Sequence, residues 1–308
     1  MGAWGYKLYD NDAACDLRDQ FKDWRRMPYD GDALLTFVTE QTGGADDPDD
    51  EDYSTYWLTL ADLFWRHGIV CQTVFERAIS VIDSGADAAM MAVLDIEEKD
   101  RNKRAQHLRE FRDKWTTPNP KPTKRSIFKK PEPLAVASGD VWIYPTEDGN
   151  PPNTFFPATE IEKSFKPDGW AAFAITNTRH VLGFLAAAHF VRLHVDGPER
   201  PTLDACIAAP ISGAHYFMMK KNTPLAHAAG VVEIPKSVLK KMRAEKIGSV
   251  EISWEKVCAR INNAEEFLTT RHRGSLCGLL RIYQRMLVGR GYMDYAKPLD
   301  IKFADLIA

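Results

Sequence analysis

Hydrophobic positions recur at helical spacing through the first third of the chain, and at alternating or continuous spacing afterwards. Leu17, Phe21 and Trp24 fall at i, i+4 and i+7, which predicts a helix with one buried face. Asn11 or Asp12 in front of it can accept a hydrogen bond from an orphan N–H at the helix start. After a break around Met27–Pro28–Tyr29–Asp30–Gly31, Asp30 or Asp32 opens a second helix carrying Leu34, Leu35, Phe37 and Val38. The clearest stripe is Tyr53, Tyr56, Trp57, Leu60, Leu63 and Phe64, ended by Gly68. Val74, Phe75, Ala78, Ile79 and Ile82 repeat it as far as Gly85. A long charged helix then spans residues 87–115, with Leu108, Phe111 and Trp115 facing inward.

Residues 118–133 hold five prolines and five Lys or Arg, a composition that favours an extended, semi-rigid connector. Beyond it the period changes. Residues 141–144, 171–175, 181–193, 231–234 and 250–252 read as strands between Gly, Pro, Asn and Asp turns such as Asp148–Gly149–Asn150. Helical signals return over 236–243, 254–268 and 276–287. The pattern predicts an α+β protein: an all-α helical domain over 1–115, a basic proline-rich linker over 116–137, and a mixed β-rich domain over 138–308 with a curved, mainly antiparallel sheet. No internal repeat is present.

Composition, cysteine usage and charge refine this picture. The 308 residues are 44% hydrophobic and 27% charged, as in an ordinary globular protein. The five cysteines (15, 71, 206, 258, 277) are widely spaced with no C-x-x-C pair, which argues against a disulfide framework or structural zinc and for a reducing compartment. No basic-then-apolar signal opens the chain, and its most apolar run, 181–195, is too short to cross a bilayer, so the expected location is cytoplasmic. The net charge of −3 conceals a split: residues 1–116 hold 14 Lys and Arg against 24 Asp and Glu, and residues 117–308 hold 26 against 19. Such asymmetry speaks to partners, not to fold.

The opening also carries a family resemblance. Gly2, Ala3, Trp4, Gly5, Tyr9, Asn11, Asp12, Ala13 and Asp16 resemble the start of an uncharacterised bacterial family that begins Met-Gly-Ala-Trp-Gly ahead of an Ala-rich first helix. Lys7 stands where relatives often have a small residue. The likeness covers about the first 115 residues and implies a helical fold; some relatives lie near toxin-immunity genes. In the second half, Gly139–Asp140–Val141–Trp142–Ile143–Tyr144–Pro145 is similar to the first strand of some bacterial immunity-protein domains.

Candidate chemistry is sparse. There is no phosphate-cradling Gly-rich loop with Lys-Ser/Thr and no His-Glu-x-x-His. Gly274–Ser275–Leu276–Cys277–Gly278 has leucine where a nucleophile elbow needs its nucleophile. Cys258 or Cys277 with His272 gives no required spacing. Asp10, Asp12 and Asp16 could face a hard cation but lack a calcium loop's glycine and distal Glu. His189 and His194, five apart, should face opposite sides of one strand. Asp300–Ile301–Lys302 has a nuclease-like Asp-x-Lys spacing, with Asp168 or Glu233 as acidic partners to be found. Neither metal nor cofactor is expected.

Binding surfaces are the stronger reading. Six carboxylates in seven residues (Asp46, Asp47, Asp49, Asp50, Glu51, Asp52) could engage a basic protein partner, such as a cognate toxin. Two basic stretches are candidate nucleic-acid contacts: residues 121–130 around Phe128, and Arg271, Arg273, Arg281 and Arg285 in the C-terminal half. The sequence thus points to a non-enzymatic, immunity-like protein-binding role. The alternative is a metal-dependent nucleic-acid enzyme or nucleic-acid-binding defence component using the basic C-terminal half.

Overall fold

The computed structural model describes residues 5–44, 46–217, 224–227, 229–261 and 293–308. The chain divides into two units, residues 1–129 and 130–308. Among the described residues no helix is long and apolar enough to cross a membrane.

The first unit is helical: α1 (Asp12–Trp24), α2 (Gly31–Thr42), α3 (Tyr53–Arg66), α4 (Gln72–Ser84), α5 (Ala86–Val93) and α6 (Glu98–Trp115). Asn11, not Asp12, caps α1, its side-chain oxygen accepting from the Ala14 N–H at 3.2 Å. Asp30 caps α2, and Gly43 ends it at a positive φ of 80°. The periodicity of α3 suggests one buried face; in fact every residue from Ser54 to Phe64 is buried. The cause is its central place, with α1, α4, α5 and α6 all packed on it. Phe21 of α1 meets Phe64 of α3 with ring centroids 5.8 Å apart. Each such side chain, fully buried, contributes ~1.5–3 kcal/mol.

The single helix expected over 87–115 is two helices. The chain turns at Leu94–Asp95–Ile96, with Asp95 at a φ of 56°, so that α6 folds back over α5. Arg104 shows why the turn matters. Its guanidinium grips Asp87 through two bonds of 2.7 and 2.8 Å, with both side chains buried. Seventeen residues of straight helix would hold these groups roughly 25 Å apart.

The proline-rich stretch is shared between the units. Its first part lies along the ends of α1 and α3, where it satisfies last-turn carbonyls that a helix leaves without partners. Thr123 N–H donates to Arg66 O and Phe128 N–H to Arg26 O, both at 2.8 Å. Arg125 donates to the carbonyls of Arg25, Met27 and Tyr29 and pairs with Asp30. From residue 130 the chain joins the second unit, where Glu132 N–H donates to Phe184 O at 2.9 Å.

The second unit is a mainly antiparallel sheet of eight strands: β1 (Asp140–Thr146), β2 (Gly169–Val181), β3 (Leu185–Gly197), β4 (Pro210–Phe217), β5 (Pro224–His227), β6 (Ala229–Val232), β7 (Glu245–Ser249) and β8 (Met293–Lys302). The path runs β5-β4-β3-β2-β1-β7, with β6 on β3 and β8 on β4. The α+β class is as expected, and the sheet is open and uncurled. Helices α7 (Ala158–Ser164), α8 (Leu203–Ala208), α9 (Lys236–Lys241) and α10 (Trp254–Arg260) and a C-terminal 3-10 turn (Phe303–Leu306) complete the described part.

The sheet is buried on both faces, which explains why β2 reads as the continuous run Ala171–Ala172–Phe173–Ala174–Ile175. Val141, Ala172, Ala174, Val191 and Leu193 pack beneath α8, α10 and the C-terminal turn. Tyr144, Phe173, Ile175 and Phe190 pack with Leu239 and Met242 on the other side. The strand expected over 181–193 is interrupted by a tight turn at Leu182–Gly183, both at positive φ, which makes β2 and β3 a hairpin. The last expected strand, 250–252, begins five residues earlier as β7; Ile252 forms only an isolated bridge to Ile307.

The Gly139–Asp140 pair bolts β1 to its neighbours. Gly139 adopts a φ of 88°, and a Cβ there would stand 1.9 Å from Val250 O. Asp140 is buried; its carboxylate accepts from Ala137 N–H and Ser249 Oγ–H and pairs with Lys246 at 2.6 Å.

Candidate functional site

The acidic loop of the helical unit opens onto a cleft of ≈ 420 Å³ between α1, the end of α2 and the start of α3. Asp50 and Asp52 from the loop and Asp16 from α1 line it, with Gln20, Gln41 and Tyr56. Among the described residues that line it there is no lysine, arginine or histidine. On α1, Ala13, Asp16, Leu17 and Gln20 follow the i, i+3, i+4, i+7 rule, so one face of the helix forms the wall. That face lies beside the core stripe of Leu17, Phe21 and Trp24, which masks it in the sequence.

The loop carboxylates have divided tasks. Asp46 pairs with Arg77 of α4 at 2.9 Å, an exposed contact. Asp47 and Asp50 accept from the N–H groups of Asp49 and Asp52, shaping two consecutive turns. Asp52 stands at the start of α3 without making a side-chain cap bond. Burial, followed by the charges of Glu51 and Asp50, raises its carboxyl above the usual range. Asp49 and Glu51 are exposed. The structure therefore groups Asp50 and Asp52 with Asp16, a residue singled out in the sequence for a different role. Such a wall of acids, amides and a phenol suits a guanidinium or ammonium group.

The N-terminal strap lies on the same unit. Tyr9 O–H donates to Asp62 at 2.6 Å, Arg66 pairs with that same carboxylate at 2.7 Å, and Arg104 donates to Lys7 O at 3.1 Å. Burial and the Asp62 charge push the Tyr9 hydroxyl well above its ordinary pKa. Asp10 accepts from Lys7 N–H at 3.1 Å. Residues 1–4, which carry much of the opening motif, lie outside the described residues.

Other candidates are scattered. Arg271, Arg273, Arg281 and Arg285, together with His272, Cys277 and the 274–278 motif, lie outside the described residues. Cys71 S–H donates to Asp32 at 3.0 Å, and burial with that contact raises its thiol to about 11. Burial raises Cys206 to about 11 as well, so neither supplies a thiolate at neutral pH. His189 is fully buried and His194 exposed, on opposite sides of β3. Asp168 is occupied by the Asp148 N–H, and Asp300 is exposed on β8. Among the described residues no three His, Cys, Asp or Glu side chains converge as a metal site.

Neither a family model, nor a curated protein, nor a solved structure matches the chain.

Proposed function

We propose that the protein acts by binding a basic protein partner through the acidic cleft, in an immunity-like role of neutralising or recognising that partner. The observation that carries this reading is the cleft itself: three carboxylates on its wall, with no Lys, Arg or His among its described lining residues. The half-buried Asp52, its charge disfavoured by burial and by its acidic neighbours, is relieved by an arriving cation. The surrounding acidic loop accelerates encounter with a positive surface and makes it salt-dependent. The resemblance of the opening and of β1 to proteins of the toxin-immunity setting agrees with this role.

The test is co-expression with the product of the neighbouring gene. The native chain should form a complex with it and protect the host, and Asp16→Asn/Asp50→Asn/Asp52→Asn should weaken both while leaving the fold intact. Absence of binding and of protection for every co-encoded protein would sink the proposal.

A further inference from the structure

A second charged surface of the helical unit has the opposite sign. Where the connector lies along the ends of α1 and α3, its cations join those of the two helices. Three of the arginines are committed to carboxylates: Arg26 to Asp23 (3.8 Å), Arg66 to Asp62 (2.7 Å) and Arg125 to Asp30 (2.8 Å). Arg25, Lys121, Lys124 and Lys129 have no carboxylate within 4.0 Å among the described residues. The three lysines are exposed.

Arg25 is held in place without being neutralised. Its Nη1 lies 3.3 Å from Nε2 of His67, while its buried Nε has no hydrogen-bond partner among the described residues. His67 Nδ1–H donates to Thr123 O at 3.1 Å, which ties the imidazole to the connector. Burial, then the charges of Arg25, Arg125 and Arg66, lower the His67 pKa and keep its ring neutral at physiological pH. A guanidinium with no carboxylate partner among the described residues therefore sits beside the middle of a stretch that carries three exposed lysines.

We infer that this basic corner binds the phosphate backbone of a nucleic-acid strand. The row suits a polyanion better than a single ion: Lys121 to Lys129 spans eight residue steps, up to roughly 25 Å in a proline-rich run. Lysines act there as point charges along the strand, and Arg25 adds a guanidinium charge held in place by His67. The contacts are to backbone, so binding is largely independent of sequence. The corner lies apart from the residues lining the acidic cleft and does not depend on that reading.

The experiment is fluorescence anisotropy of the full chain with a labelled single-stranded oligonucleotide of about 20 nucleotides at salt from about 50 to 200 mM. The wild type should bind with an affinity that falls as salt rises. Lys121→Gln/Lys124→Gln should lose about fivefold or more at low salt and flatten the log–log slope by about 1.4, at about 0.7 per phosphate contact. Arg25→Gln should weaken binding further, while the control Lys163→Gln/Lys166→Gln should match the wild type. Both connector lysines are exposed, so an unchanged melting temperature verifies folding. No binding at low salt, or binding indifferent to the paired substitution, overturns the inference. So does equal, lysine-dependent binding of polyglutamate or anionic vesicles.

Discussion

The phenol of Tyr9 donates to the carboxylate of Asp62 across 2.6 Å, joining the segment before α1 to the middle of the most buried helix in the unit. Asp62 is 2% exposed, so its charge must be met from within, and Arg66 supplies the other contact. Tyr9→Phe keeps the ring beneath the guanidiniums of Arg18 and Arg66 but removes the donor. The expected loss is about 1–3 kcal/mol, because a buried charged acceptor is left short of a partner. Urea denaturation measures it; an unchanged midpoint would show that the strap is not held through this bond.

Asp87 and Arg104 make the corresponding tie between α5 and α6. Asp87→Ala leaves a guanidinium in a site where Arg104 is 2% exposed, and the expected cost is about 3–5 kcal/mol. Replacing both partners by apolar residues, as in Asp87→Leu/Arg104→Met, should recover much of that loss, since no stranded charge remains. Thermal melts of the single and double variants decide it. A double variant no better than Asp87→Ala would mean that the Arg104 bond to Lys7 O, and not the ion pair, carries the stability.

Gly139→Ala tests the junction of β1 and β7. A positive φ alone makes alanine cost more than ~1 kcal/mol. The added Cβ would also meet Val250 O at 1.9 Å, and that oxygen belongs to backbone that must move as a whole. The Gly139–Val250 hydrogen bond should open with it. Hydrogen exchange of β7 amides should rise selectively; a uniform response across the sheet would refute the local account.

Much of this architecture was legible in the residues. The caps at Asn11 and Asp30, the start of α3 and the strand beginning at Gly139–Asp140 follow from local chemistry. Local signals stop where tertiary contact decides. Nothing in the helical pattern over 87–115 marks the break at Asp95, because the turn serves Asp87 and Arg104, seventeen residues apart. Polar Thr59 and Asp62 look like the exposed side of α3 but are buried by four surrounding helices. The cleft was half visible: the acidic loop is plain in the sequence, whereas Asp16 joins it only through packing of α1 on α3.

The sheet unit should lose stability in mild acid through His189. This side chain is fully buried, its ring 5.2 Å from that of Trp254, and neither ring nitrogen has a hydrogen-bond partner among the described residues. Burial first, and then the Arg179 charge, lower its pKa from the ordinary 6.5 to about 4. Between those two values the unfolded chain binds a proton that the folded chain refuses, so stability rises with pH there. The contribution is fully present above about pH 6.5 and falls away as the pH drops towards 4. Its ceiling is about 3 kcal/mol, at ~1.4 kcal/mol per unit of displacement. His189→Leu removes the titration and leaves no orphaned ring nitrogen, so it should flatten the pH dependence over that window without weakening the protein at neutral pH. Exchange rates of β2 and β3 amides at pH 5 and pH 7, corrected for intrinsic rates, provide the readout. If wild type and variant show the same acid-induced opening, a different group controls the transition.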